Sequence, residues 1–147
     1  MKLLVIAALL TLPALAFASE GSEPNDFREL AALFRTAHDS GDFEKISGLV
    51  CWDRVDARTR AAVERHTASE FGRPISSVSF EKLPEDAGLE YQQDGVTYRP
   101  NLSPIGYLVI RYAPSQSDPS AATATRYLLG RKAGKLRIAT AAPAAEH

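Results

Sequence analysis

The chain is 147 residues long, with 17 basic against 18 acidic side chains and a formal net charge of −1. That balance argues against a general nucleic-acid or anionic-membrane binder, whose affinity would come from clustered basic charge. A single cysteine, Cys51, excludes an intramolecular disulfide, and the histidines and cysteine show no metal-ligand spacing, so no metal or other cofactor is expected.

Lys2, the apolar run from Leu3 to Leu12, Pro13 and the small-residue triplet Ala16-Phe17-Ala18 follow the order of a secretory signal with cleavage after Ala18. The apolar run falls short of the ~20 residues that a spanning helix needs. Residues 1–18 are therefore read as a signal peptide, residues 19–24 as a flexible leader and residues 25–143 as a single α+β domain. From Ala142 onward the chain is small and polar and is read as frayed, ending in a disordered tail over residues 144–147. The expected location is periplasmic or extracellular, with no membrane span after cleavage.

Three helices open the domain. Asp26 and Glu29 have capping-box spacing, and Phe27, Leu30, Leu33, Phe34 and Ala37 follow helical periodicity until His38-Asp39-Ser40-Gly41 breaks it. Asp42 can cap a restart carrying Phe43, Ile46, Leu49 and Val50. Asp56 can cap a third helix from about Ala57 to Glu70, with Ala62, Val63 and His66 on its apolar face and Gly72 and Pro74 as the stop.

Beyond Pro74 the period changes to two. Val78 and Phe80 alternate with Ser77, Ser79 and Glu81, as in a strand with one buried face. Asp94-Gly95 predicts a two-residue hairpin that sets Gln93 against Val96 and Tyr91 against Tyr98, with both tyrosines and Val96 on the inward face. Ile105 to Tyr112 is apolar on both faces apart from Arg111, which predicts a central strand covered on more than one side. After a Pro, Ser and Asp rich loop, Thr123 to Arg131 and Lys135 to Ala141 read as a second hairpin turning at Ala133-Gly134, with Leu129 facing Ile138 and Tyr127 facing Thr140.

The fold class predicted is α+β, with the N-terminal helices packed on a curved antiparallel sheet of four to five strands. The first helix, the Gly41-Asp42 corner, the second helix ending near Trp52, the capped third helix and the two late hairpins resemble the nuclear transport factor two-like superfamily. This is the cystatin-like cone also found in SnoaL-like proteins. The resemblance implies a pocket between helices and concave sheet, which serves enzymes in some members and ligand or partner binding in others. No catalytic residue carries over from it, because Asp26, Asp42, Asp56, Asp86, Asp94 and Asp118 all fall where caps or turns account for them.

Trp52, Tyr91, Tyr98 and Tyr127, with His66 at the edge, are the candidate pocket residues, since aromatic side chains with a polar handle suit a small, largely apolar ligand. The catalytic residues are unknown, and the chain is read as a non-enzymatic ligand- or partner-binding module. The alternatives are an isomerase-, cyclase- or hydratase-like enzyme acting on a small apolar substrate, or a protein-protein assembly module; a homodimer stays open. Neither nucleic acid nor a membrane is expected as a partner. Arg131, Lys132, Lys135 and Arg137 crowd the last hairpin, either as a solvated strand end or as a surface for an acidic partner. His38 and Asp39 are read as a solvated helix end, Cys51 as a small buried residue, and Asn101-Leu102-Ser103 matches a glycosylation sequon. Cleavage after Ala18 predicts a soluble mature protein beginning at Ser19; intact-mass analysis of exported material checks this, and recovery of uncleaved chain from membranes refutes it.

Overall fold

The computed structural model describes residues 23–121 and 123–144. The signal peptide, most of the leader and residues 145–147 of the expected tail lie outside the described residues. The elements run α1 (Phe27–Ser40), α2 (Phe43–Ser47), α3 (Ala57–Glu70), β1 (Ile75–Lys82), β2 (Tyr91–Gln93), β3 (Val96–Pro100), β4 (Pro104–Tyr112), β5 (Ala124–Lys132), β6 (Lys135–Ile138) and β7 (Ala141–Pro143). None of the described helices is long and apolar enough to cross a membrane.

Local rules account for the helices. Asp42 accepts from the Glu44 backbone N–H at 3.0 Å and Asp56 from that of Thr59 at 2.7 Å, so α2 and α3 start where their caps stand. Gly41, at φ +63, closes α1 in a left-handed turn that a side chain would strain. Asp26 departs from the expected capping box. Its carboxylate makes no cap bond and instead takes two bonds of 2.9 Å from Arg131, plus one of 3.3 Å from the Leu136 backbone N–H. The tertiary partner is a charged fork, which binds a carboxylate more strongly than a neutral backbone donor does. The Arg131 hydrogen bonds hold the Asp26 carboxyl below its ordinary value.

The sheet is divided. β1, β4, β5 and β6 form a four-stranded antiparallel sheet in the order β1-β4-β5-β6, and β2, β3 and β7 form a separate three-stranded sheet in the order β2-β3-β7. The α+β class with helices on a curled antiparallel sheet is as predicted, but the strands do not belong to one sheet. β4 is central, as its two apolar faces require. Leu108, Ile110 and Tyr112 face α1 and α2 together with Phe34, Ile46 and Leu129, while Tyr107 and Val109 pack on the other face with Leu128, Leu83 and Leu102. Burying each large side chain of this kind contributes about 1.5–3 kcal/mol. Leu33, expected in the α1 stripe, is half exposed, because the arc of Phe27, Leu30, Phe34 and Ala37 already meets the sheet and leaves Leu33 on its flank.

Both hairpin turns are read correctly from their dipeptides. Asp94 and Gly95 sit at φ +52 and +77, Ala133 and Gly134 at +50 and +78, and the registers Tyr91–Tyr98 and Leu129–Ile138 follow. Two details differ. Val96 is exposed rather than inward, because it stands at the hairpin tip beside the turn. Tyr127 does not face Thr140. The last paired residues of β5 and β6 are Leu129 and Ile138, and the chain then leaves the main sheet to enter the second one as β7, where Pro100, Arg99 and Tyr98 pair with Ala141, Ala142 and Pro143. Ala142 is accordingly buried within a strand rather than frayed.

Asn101 holds this crossing in place. Its amide donates to the carbonyls of Cys51 (2.8 Å) and Asp53 (3.1 Å) and to the Thr140 hydroxyl (3.2 Å). Its side-chain oxygen accepts from the Thr140 backbone N–H at 2.9 Å, while its own N–H donates to the Thr140 carbonyl at 2.8 Å. Thr140 Oγ1 in turn donates to the Cys51 carbonyl. The Asn101-Leu102-Ser103 sequon is therefore incompatible with glycosylation of the folded chain, since its Nδ2 is buried and bonded to three acceptors. Asn101→Ala leaves the Thr140 N–H and the Asp53 carbonyl without these partners. It should destabilise the domain by about 2–4 kcal/mol, read as a lower urea midpoint; an unchanged midpoint would refute the role of Asn101.

Candidate functional site

Polar side chains gather where α1 ends, between α3 and the outer ends of β4 and β5. The helical period that buries Phe34 and Ala37 also turns His38 inward, and the same period on α3 points His66, Thr67 and Glu70 at the sheet. On the strands, Tyr112 follows Leu108 and Ile110 on the helix-facing side of β4, and Thr125 and Tyr127 precede Leu129 on that side of β5. His38 is 3% exposed, not the solvated helix end its position suggested. The helix continues to Ser40, and the corner at Gly41 turns the chain back only after His38 has been carried under α3.

The geometry of this cluster is specific. His38 Nε2 donates to the Glu70 main-chain carbonyl at 2.9 Å, which leaves Nδ1 without a hydrogen bond; the Asp39 carboxylate stands 3.7 Å from it. The His38 ring lies 5.8 Å from the rings of both Phe71 and Tyr112, and Phe34 lies 5.2 Å from Tyr127. Glu70 is bridged to Arg73 at 2.9 Å, and the Arg73 guanidinium lies over the Tyr112 ring at 4.4 Å.

Among the described residues, His38 Nδ1, His66 Nε2, Thr67 Oγ1, Tyr112 Oη, Thr125 Oγ1 and Tyr127 Oη are all buried without a hydrogen-bond partner. Burial pushes the Tyr112 and Tyr127 phenols well up from their ordinary value, and the Glu70 carboxylate raises both further. Thr67 neighbours Tyr127, and Glu70 neighbours Tyr112, closely enough to influence their ionisation; neither pair reaches hydrogen-bond geometry. Both phenols are therefore proton donors at any physiological pH. Burial lowers the His66 pKa and Glu70 partly opposes this, so the ring is neutral near pH 7 and can accept at one nitrogen. A buried hydroxyl without a partner costs about 1–3 kcal/mol, and native interiors hold few of them, so their concentration next to aromatic rings makes this cluster the candidate site.

The residues singled out in the sequence divide among three places. Tyr127 belongs to this cluster and His66 borders it. Trp52 packs beside Phe43, with Arg60 over its ring at 4.6 Å and its indole N–H donated to the Ser47 carbonyl and hydroxyl. Tyr91 and Tyr98 stack on one another, 5.2 Å apart and 8° from parallel, and the Tyr98 hydroxyl donates to Asp56 at 3.0 Å. Burial, reinforced by Tyr98 and Asp56, pushes the Tyr91 phenol up to about 12. A single aromatic pocket is not formed, because β3 pairs with β2 on one side and β7 on the other, which carries Tyr91 and Tyr98 onto the second sheet, against the start of α3. Sequence reasoning missed His38, Thr67, Glu70 and Tyr112. The available signal was their place in the apolar periods: His38 reads as part of the break after the first helix, Glu70 as the end of the third, and Tyr112 as one more apolar residue of the central strand.

No known protein family, curated protein or solved structure matches the chain. Among the described residues no group of three His, Cys, Asp or Glu side chains could hold a metal ion. Tyr127→Phe removes a buried hydroxyl that has no partner and keeps the ring against Phe34. It should raise stability by about 1 kcal/mol, or a few degrees in melting temperature, read by calorimetry. A lowered melting temperature would show that the hydroxyl is satisfied in the resting protein.

Proposed function

We propose that this chain is an exported, non-enzymatic binding module of the nuclear transport factor two-like kind, and that it takes a small, largely apolar molecule with one carbonyl group at the polar cluster beneath α1 and α3. The observation that carries the reading is the gathering of partnerless buried polar atoms, Tyr112 Oη and Tyr127 Oη foremost, in an otherwise apolar interior. Two phenols that stay protonated offer hydrogen-bond donors to a carbonyl oxygen, while Phe34, Phe71 and Ile110 supply apolar contact for the body of the molecule. The half-buried His66, Phe71 and Arg73 mark where the cluster meets solvent.

The absence of an available carboxylate favours binding over chemistry. Glu70 is the one acid beside the cluster with most of its side chain covered, and Arg73 bridges it at 2.9 Å, which opposes its use as a general base. The resemblance in element order, three helices and then antiparallel strands, supports the same location, since in that superfamily the space between helices and sheet is the ligand site. Export through the N-terminal signal completes the reading and puts the ligand in the periplasm or outside the cell.

Cyclohexanone and 2-decalone, a monocyclic and a bicyclic ketone, test the proposal by nuclear magnetic resonance of the tyrosine and histidine rings. Saturable shifts of the Tyr112 and Tyr127 signals are expected, with at least tenfold weaker binding in a folded Tyr112→Phe/Tyr127→Phe double variant. Unperturbed tyrosines, or equal affinity in the double variant, would overturn the site. Protein-catalysed deuterium exchange at the ketone α-carbon would replace the binding module with an enzyme that uses His66 as its base.

A further inference from the structure

A groove of about 490 Å³ lies between the β5–β6 hairpin and the segment that follows α2, and Lys135 and Arg137 separate it from the depression that holds Asp26 and Glu29. Its size falls in the range of small-molecule sites. Trp52 and Val50 provide its apolar wall, and the Trp52 indole is fixed in place because its N–H is spent on Ser47. Cations crowd the facing side. The two-residue turn sets Lys132 directly opposite Lys135, and Arg137 follows Lys135 on the same face, so three positive charges line one side of a single hairpin.

That arrangement opposes strand pairing, since like charges directly across a ladder destabilise it. Only one carboxylate in the lining answers them. Asp53 bridges Lys132 at 2.7 Å, Arg137 uses one nitrogen on the Gly48 carbonyl at 2.7 Å, and Lys135 makes no hydrogen bond or ion pair among the described residues. The groove thus joins an apolar aromatic wall to an excess of positive charge. A neutral ligand would leave that excess unanswered, and an inorganic anion would leave the Trp52 wall unused.

We propose that this groove is a second binding site, separate from the polar cluster, for a small amphipathic carboxylate. The carboxylate sits between Lys135 and Arg137, and the hydrocarbon body lies along Trp52 and Val50. A bidentate contact from the remaining Arg137 nitrogens and a point charge from Lys135 suit the two oxygens of one carboxylate.

Trp52 is the only tryptophan in the chain, so its fluorescence reports on this groove directly. Titration with octanoate should give a saturable change in emission, and octanol and octylamine, with the same body and no negative charge, should bind at least tenfold more weakly. Raising the salt concentration should weaken octanoate alone. Lys135→Gln/Arg137→Gln, checked for folding by circular dichroism, should reduce octanoate affinity at least tenfold, while Tyr127→Phe should leave it unchanged. The proposal is overturned if octanoate gives no saturable response, if octanol binds as well, or if the folded double variant keeps its affinity. Loss of octanoate binding in Tyr127→Phe would instead assign the signal to the polar cluster and overturn a separate site.

Discussion

Asn101 ties together three stretches of chain that no local rule brings near one another: the connection after α2, the start of β4 and the crossing between β6 and β7. Without these bonds the buried backbone N–H and carbonyl of Thr140 would be short of partners, and buried main-chain groups in that state are rare in native proteins. The amide serves both requirements at once, since its nitrogen donates and its oxygen accepts. It also fixes where the final strand leaves the main sheet, and hence why there are two sheets. Gly130 belongs to the same device. A Cβ there would lie 2.6 Å from Leu102 and 2.8 Å from the Ser103 carbonyl, so only glycine lets the segment after Asn101 cross β5.

The layer beside that crossing differs in character from one end to the other. The inner layer of Phe34, Ile46, Leu108, Ile110, Leu129 and Ile138 is closed and apolar, and it surrounds the point where Leu49 and Cys51 pair with Ile138 beside β6. Toward the outer ends of β4 and β5 the same face changes character, and tyrosine, threonine and histidine occupy positions that aliphatic side chains would fill at lower cost. Among the described residues the buried side-chain polar atoms without a hydrogen-bond partner thus gather in one place, while the Asn101 amide is bonded through both its nitrogen and its oxygen.

Charge follows a similar division. Arg131 pairs with Asp26 and locks α1 to the last hairpin, whereas Lys132, Lys135 and Arg137 border the groove beside Trp52 with Asp53 as its acid; Lys135 and Arg137 also border the depression that holds Asp26 and Glu29. Alternation along a strand sorts basic residues at neighbouring positions in sequence onto two faces, one paired with Asp26 and one bordering the groove beside Trp52.

How much of this was legible in the sequence depends on the range of the interaction concerned. The helix starts at Asp42 and Asp56, the stop at Gly41 and both two-residue turns were readable, because caps and positive-φ positions depend on residues a few places apart. The central place of β4 was readable from its unbroken apolar run. The assignment of β2, β3 and β7 to a second sheet was not, since strand pairing across more than 40 residues leaves no periodic trace, and Asn101 looked like a glycosylation site rather than a hub. The same reason explains the candidate site. Sequence could mark Tyr127 and His66 as inward, but only the tertiary structure brought them to His38, Thr67, Glu70 and Tyr112 and sent Trp52, Tyr91 and Tyr98 elsewhere. Which polar groups share an interior is decided by how layers stack, and stacking depends on packing between distant segments rather than on any local pattern.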